Sequence, residues 1–421
     1  MFWADLITIP LFTALIGYVT NWTGVLMLFR PIAFHGVRLP GLRVLFPLLP
    51  RRVRVLPLIR YDGRIGWQGI VPSRADKMAS IAVDKGLAKL GGIAEFYEQL
   101  EPDRIAEHLA AVAAPEIRGI VEQIMRRQNP ELWRELPPAV RETVHARVRE
   151  RLPAITKDLT DRIGANVEQL IDAKLMVIAH LSGHPELLNR IFADIGRKEL
   201  RFMRNFGLYA GAPLGVALFF VARALPYWWV LPAGGALIGW TVNWLAVEMI
   251  FEPVRPRWWA PWRQGLFLKR QDEVTEGYAE IISQNVITLA NIGHELLHGP
   301  RADRTRRMLE EALLPTVDAV AGRASAAVRV AVGPRVYDRI RFSVAGEAAE
   351  LAPRALADAE FNRRQATKIH AFVSGRMRQM SPEDFVQMLR SAIEQDEWLL
   401  FLHGGVLGIF AGLIHLAIFG V

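Results

Sequence analysis

One segment of this chain occurs twice. Residues Pro10 to Pro31 read P-x-x-x-A-L-I-G-x-x-x-N-W-x-x-V-x-M-x-F-x-P, and Pro232 to Pro253 read the same. Each copy sits in an apolar run long enough to cross a bilayer. A motif repeated once, inside two such runs, predicts a membrane protein made by tandem duplication.

Four runs reach or approach the roughly 20 apolar residues that a spanning helix needs: Leu6–Phe29, Asn205–Ala222, Ala224–Val247 and Trp398–Val421. The second and third are separated by Arg223 and a turn at Pro226, which predicts a helical hairpin. The remainder is strongly charged. With 51 Lys+Arg against 43 Asp+Glu the net charge is +8, and many of the arginines flank the apolar runs. The first run has no basic segment before it and no A-x-A site after it, so it reads as a retained anchor. The chain has no cysteine, which excludes disulfides, thiol catalysis and cysteine-bound metal.

Orientation follows from Lys and Arg near the span ends. Arg30, Arg38, Arg43, Arg51, Arg52 and Arg54 follow the first span. Arg197, Lys198, Arg201 and Arg204 precede the second, and Arg255, Arg257, Arg263, Lys269 and Arg270 follow the third. With these on the cytoplasmic side, both termini lie outside and both hydrophilic segments inside. Arg223, in the outer turn, opposes this threading.

The repetition extends beyond the spans. Trp67-Gln68-Gly69-Ile70, then Arg74 and Asp76, returns as Arg263-Gln264-Gly265-Leu266, then Arg270 and Asp272. The first copy carries extra residues here, a basic and proline-rich stretch from Phe34 to about Arg64. Its aromatic and basic residues, like Trp258, Trp259 and Trp262 in the second copy, suit the headgroup layer. His184-Pro185-Glu186 and Ser381-Pro382-Glu383 both read as helix starts. Gly207, Gly211 and Gly215 match Gly404, Gly408 and Gly412, so the second and fourth spans share a G-x-x-x-G-x-x-x-G ladder. The ladder predicts close helix approach, within one chain or between copies in a homo-oligomer.

Between the spans the apolar spacing is helical. Val140, Val144, Val148, Leu152, Ile155, Leu159, Ile163, Val167 and Leu170 form one stripe, and Ala324, Val328, Val332, Val336, Ile340 and Val344 another. Pro153 and Pro334 lie inside these stripes and are expected to kink or divide them. The fold expected is an all-α membrane protein, (transmembrane helix, helical insert, transmembrane helix) twice over, with long amphipathic inserts. The boundaries read as spans 1–31, 205–251 (a hairpin) and 398–421, with inserts 32–204 and 252–397.

Asn21 and Asn243 are the polar residues of most interest. Each lies a helical turn beyond Gly17 or Gly239, and three before Gly24 or Ala246. A buried amide in a bilayer needs partners, and small neighbours admit another backbone. One reading has the asparagines joining helices. The other makes them, with Gly17, Gly239, Trp22 and Trp244, a polar site for a substrate or ion at a repeat interface. Glu248 adds to the second reading, since an acid at a span end is expensive. His294-Glu295-Leu296-Leu297-His298 spells the zinc motif H-E-x-x-H. Gly299-Pro300 stops the helix at once and no third ligand follows at the usual spacing, so the letters fit and the context does not. No phosphate loop, dinucleotide fingerprint or nucleophile elbow is present. No enzyme activity, cofactor or metal is expected. The basic clusters lack a nucleic-acid-binding context and suit anionic lipid headgroups instead.

The repeated A-L-I-G-x-x-x-N-W segment, the Gln68–Pro72 element and the glycine-rich last span resemble the bacterial YjiN/YheB-type membrane proteins, a domain-of-unknown-function family. The resemblance covers nearly the whole chain. The second copy departs from it at Gly265-Leu266-Phe267-Leu268, where the proline is missing. The resemblance implies the bacterial inner membrane and supplies no activity, ligand or catalytic residue. The function expected is a non-enzymatic envelope scaffold or lipid-associated organiser. A transporter or channel for a lipid or small solute is the alternative, and a zinc metalloprotease the remote one.

Overall fold

The computed structural model describes residues 2–50, 54, 57–258, 260–321, 335, 339, 343, 344, 346, 355–391 and 393–419. The described residues are helical almost throughout. Four long apolar helices stand out: α1 (Phe2–Phe29), α2 (Arg197–Ala224), α3 (Val230–Phe251) and α4 (Glu397–Phe419). The shortest has 22 residues, about 33 Å at 1.5 Å per residue, against a hydrocarbon layer of about 30 Å. All four are long and apolar enough to cross a membrane. Their outward faces carry large apolar side chains: Leu11 is 67% exposed, Phe220 59% and Leu237 69%. Hydrocarbon chains stabilise such faces and water does not.

The apolar runs understate the helices. The second begins at Arg197, eight residues before the charge-free run, because Arg197, Lys198, Arg201 and Arg204 continue the same helix. Pro10 and Pro213 lie inside α1 and α2 without ending them. In a packed membrane helix, neighbours re-satisfy the carbonyl that a proline leaves unpaired.

The chain divides into two compact units. One contains residues 1–89, 178–278 and 376–421. In it α1 packs along α2, and α3 along α4. Ile9, Leu218, Phe219 and Leu231 form a buried cluster among α1, α2 and α3. The only sheet among the described residues lies here. Strands β1 (His35–Arg38) and β2 (Arg64–Trp67) pair antiparallel, His35 opposite Trp67 and Arg38 opposite Arg64. This hairpin occupies the basic, proline-rich stretch after the first repeat motif, where the sequence shows little strand alternation.

The other unit contains residues 90–177 and 279–375. Its longest helix, Pro138–Leu170, runs unbroken through Pro153. That proline was expected to kink or divide the helix. It lies on the exposed face, where the carbonyl one turn back meets water, so the lost hydrogen bond is tolerated. From the expected stripe, Leu152, Val167 and Leu170 are buried. Leu152 packs with Ala110, Ala113 and Ile117. The Tyr97 hydroxyl donates to the Thr160 carbonyl at 2.9 Å, and burial pushes the Tyr97 phenol up from its ordinary range. The unit closes with Arg301, which donates to the Glu168 carbonyl and pairs with Asp172 at 3.0 Å. Of the second stripe only Val344 is among the described residues; Ala324, Val328, Val332, Pro334, Val336 and Ile340 lie outside them, as do Arg51, Arg52 and Trp259.

Candidate functional site

The two motif asparagines make the same contact in the two helix pairs. Asn21 Nδ2 donates to the Met203 carbonyl of α2 at 2.6 Å, and Asn243 Nδ2 donates to the Leu400 carbonyl of α4 at 2.7 Å. Both residues are sealed from solvent, at 1% and 0% exposure. A helix carbonyl already holds one hydrogen bond and has a second lone pair free for the amide. Each Oδ1 is left without a protein partner. Asn21 and Asn243 are not bonded to each other. Trp22 and Trp244, one position on, face outward at 45% and 47% exposure.

The glycines set how closely these pairs approach. A Cβ on Gly17 or Gly207 would overlap the other's backbone carbonyl. Gly239 and Gly404 are related in the same way, as are Gly235 and Gly408. Gly211 lies on Thr13 and Ala14, Gly215 on Pro10 and Gly412 on Pro232. Each ladder is thus engaged by the motif helix of its own pair. The contact distance between axes that glycine permits is what brings the asparagine amide within reach of a backbone carbonyl.

The recurring Gln-Gly pair closes the chain where α1 and α3 end. Gln68 Nε2 donates to the Ile32 carbonyl at 2.7 Å, and Gln264 Nε2 to the Val254 carbonyl at 3.1 Å. Gly69 N and Gly265 N donate to the carbonyls of Pro31 and Pro253. A Cβ at either glycine would lie 2.7 Å from the last helical carbonyl carbon, Phe29 or Phe251. The indoles of Trp67 and Trp262 cap the arrangement by donating to the carbonyls of Arg30 and Glu252. Both peptide bonds entering Pro31 and Pro253 are cis.

Beside these latches sit buried charges. Arg74 pairs with Asp396 at 2.6 Å, and Arg270 grips both oxygens of Glu199 at 2.6 and 2.8 Å. Glu248 is also paired: Arg390 reaches Glu248 at 3.3 Å and Glu397 at 3.2 Å. The sequence shows Arg74 and Arg270 as equivalent positions, and Glu199 and Asp396 stand at the same spacing as Gly207 and Gly404. It does not show which arginine meets which acid.

One cavity opens among the four long helices. Its lining is mostly apolar, with Thr20, Asn21 and His415 as buried polar members. The His415 ring touches Phe12 edge-on at 5.3 Å and Phe419 at 4.8 Å. Asn243 does not line it.

The H-E-x-x-H residues lie on the helix Leu289–His298, which ends at the second histidine. The rings of His294 and His298 stack at 4.8 Å. Among the described residues no group of three His, Asp or Glu side chains is placed to hold a metal. Glu295 is buried, and desolvation with the nearby Asp172 raises its carboxyl pKa.

Comparison with protein-family models, curated proteins and solved structures gives no match for this chain.

Proposed function

We propose that this is a duplicated inner-membrane protein of bacterial type that acts without catalysis, as a scaffold or lipid-associated organiser. Each half supplies a motif span, a helical insert and a glycine-ladder span, and the inserts face the cytoplasm. The resemblance to the YjiN/YheB-type family supports the location. The surplus of arginine beside the spans supports the orientation and an association with anionic lipid.

One observation carries the non-catalytic reading. The groups best suited to chemistry within the spans are engaged in holding helices together: Asn21 and Asn243 clasp backbone carbonyls, and Glu248 pairs with Arg390. A second reading, transport of a small solute, is favoured by the cavity; Asn21 helps to line it, and the buried Oδ1 of that residue has no protein donor. Asn21→Leu combined with Asn243→Leu separates the two. The scaffold reading expects a lower unfolding midpoint in detergent and solute flux at the level of empty vesicles for both proteins. Flux through the parent protein, lost in a double variant of undiminished stability, would replace it with the transport reading.

A further inference from the structure

The hairpin between Pro31 and Trp67 is built unlike a soluble loop. All four residues of β1 are exposed. The turn that joins the strands contains a short helix at Leu42–Leu45 and a tight turn at Phe46–Leu48, and neither has a buried residue. Val37 is 71% exposed, Val44 76% and Leu48 79%. An isolated two-stranded hairpin is marginal in water and needs a surface to pack on. Between Pro31 and Trp67 the sequence places seven arginines and one acid, Asp62. Apolar side chains interleaved with arginine are the composition of an element that lies in the membrane interface.

The base of the hairpin is fixed. Trp67, Gln68 and Gly69 donate to the carbonyls of Arg30, Ile32 and Pro31 at 3.1, 2.7 and 2.9 Å. Arg30 directly follows the last residue of α1. The strands span four residues each, about 13 Å at 3.3 Å per residue. The latch holds both ends of the hairpin at the C-terminal end of α1, and the strands are too short to carry its tip far from that level.

We propose that this hairpin is a second membrane anchor, which embeds Val44, Leu45 and Leu48 in the leaflet at the C-terminal end of α1 and selects anionic phospholipid through Arg38, Arg43, Arg60 and Arg64. The proposal rests on α1 being a span. The arginines meet the negative surface potential of that leaflet, and the apolar tip reaches the upper acyl chains. A second copy is a poor occupant of this face, since two arginine-rich hairpins repel. The insertion after the second motif is shorter, so the two halves differ in their grip on lipid.

The absence of cysteine from the chain makes the test direct. Single variants Val44→Cys, Leu48→Cys and Leu11→Cys carry a nitroxide in vesicles of phosphatidylcholine and phosphatidylglycerol. Leu11, on the outer face of α1, reports on the span itself. All three labels are expected to be accessible to oxygen and shielded from a water-soluble relaxation agent. Labels at 44 and 48 open to the aqueous agent, with the Leu11 label in lipid, overturn the hairpin proposal and leave the spans intact. Labels at 44 and 48 shielded from both agents assign the face to protein and overturn it equally. A water-exposed Leu11 label removes the span reading. In a second measurement, Arg38→Gln with Arg64→Gln is expected to weaken phosphatidylglycerol enrichment around the protein by more than tenfold, at about fivefold per arginine. Unchanged enrichment overturns the lipid-selecting part.

Discussion

Arg74 faces Asp396 across 2.6 Å, and Arg270 faces Glu199 across the same distance. Both acids are buried, at 4% and 3% exposure. Arg74 and Glu199 come from the first half of the sequence, Arg270 and Asp396 from the second. The two ion pairs therefore exchange partners between halves, whereas the asparagine clasps stay within a half. Breaking a buried pair by removing one partner costs up to about 3–5 kcal/mol, the full figure applying where no other group compensates the charge that remains. Asp396→Asn is expected to lower the unfolding midpoint strongly, and Glu199→Gln by less, because Arg270 keeps its pair with Glu273 at 2.7 Å. The paired exchange Arg74→Asp with Asp396→Arg is expected to recover part of the loss, measured by thermal unfolding in detergent.

The asparagine clasps are independent of each other. Asn21→Leu and Asn243→Leu each remove one amide-to-carbonyl hydrogen bond, worth about 1 kcal/mol in a membrane. Because they act on different helix pairs, the losses are expected to add within about 0.5 kcal/mol. A double-variant cycle checks this, and a large coupling term would contradict the separate contacts seen here.

Glycine positions divide by what a methyl group would meet. Gly207→Ala and Gly404→Ala place a Cβ against a facing backbone carbonyl, and overpacking of that kind costs about 1–3 kcal/mol. Gly277 has open space around its would-be Cβ. Gly277→Ala is expected to be neutral, or to stabilise by up to about 1 kcal/mol through helix propensity. Parallel thermal melts distinguish the two classes.

Two glutamates are expected to give pH effects of opposite sign. Hydrogen bonds from Arg270, and then from Lys198, lower the Glu273 carboxyl to about 2. Its contribution is present above the ordinary glutamate range and is lost as pH falls towards about 2. The group is exposed, so the effect is small and screened by salt. Glu295 is the reverse. Burial raises its carboxyl, so its contribution is complete below the ordinary range and declines as pH rises through the raised value. Glu295→Gln is expected to stabilise the protein at neutral pH and to leave the acid side unchanged. Unfolding midpoints across a pH series, with and without the substitution, measure both.

The four long apolar helices were legible because each of α1 to α4 contains an uninterrupted apolar run that the sequence marks. Their ends were less so: Arg197 to Arg204 look like a flank, yet they continue the helix. The motif residues were visible in the sequence, but their contacts were not. Asn21 is plainly unusual in a span, but the carbonyl it meets belongs to Met203, whose side chain carries no trace of that role. The Gln-Gly recurrence was visible and its purpose was not, because its partners are backbone carbonyls. The β-hairpin was missed altogether, since strands of four residues with exposed arginines lack an alternating buried face. Pro153 does not divide its helix, because on the exposed face the carbonyl it frees is left to water.

The exchanged ion pairs bear on what half of this chain would be. Among the ion pairs with a buried acid, everything up to Ala224 contributes one arginine and one acid, Arg74 and Glu199, whose partners Asp396 and Arg270 lie beyond it. Expressed alone, such a fragment lacks the acid that meets Arg74 and the arginine that meets Glu199, and the remainder of the chain supplies both. Two separately produced pieces, divided after Ala224, are therefore expected to be stable only together.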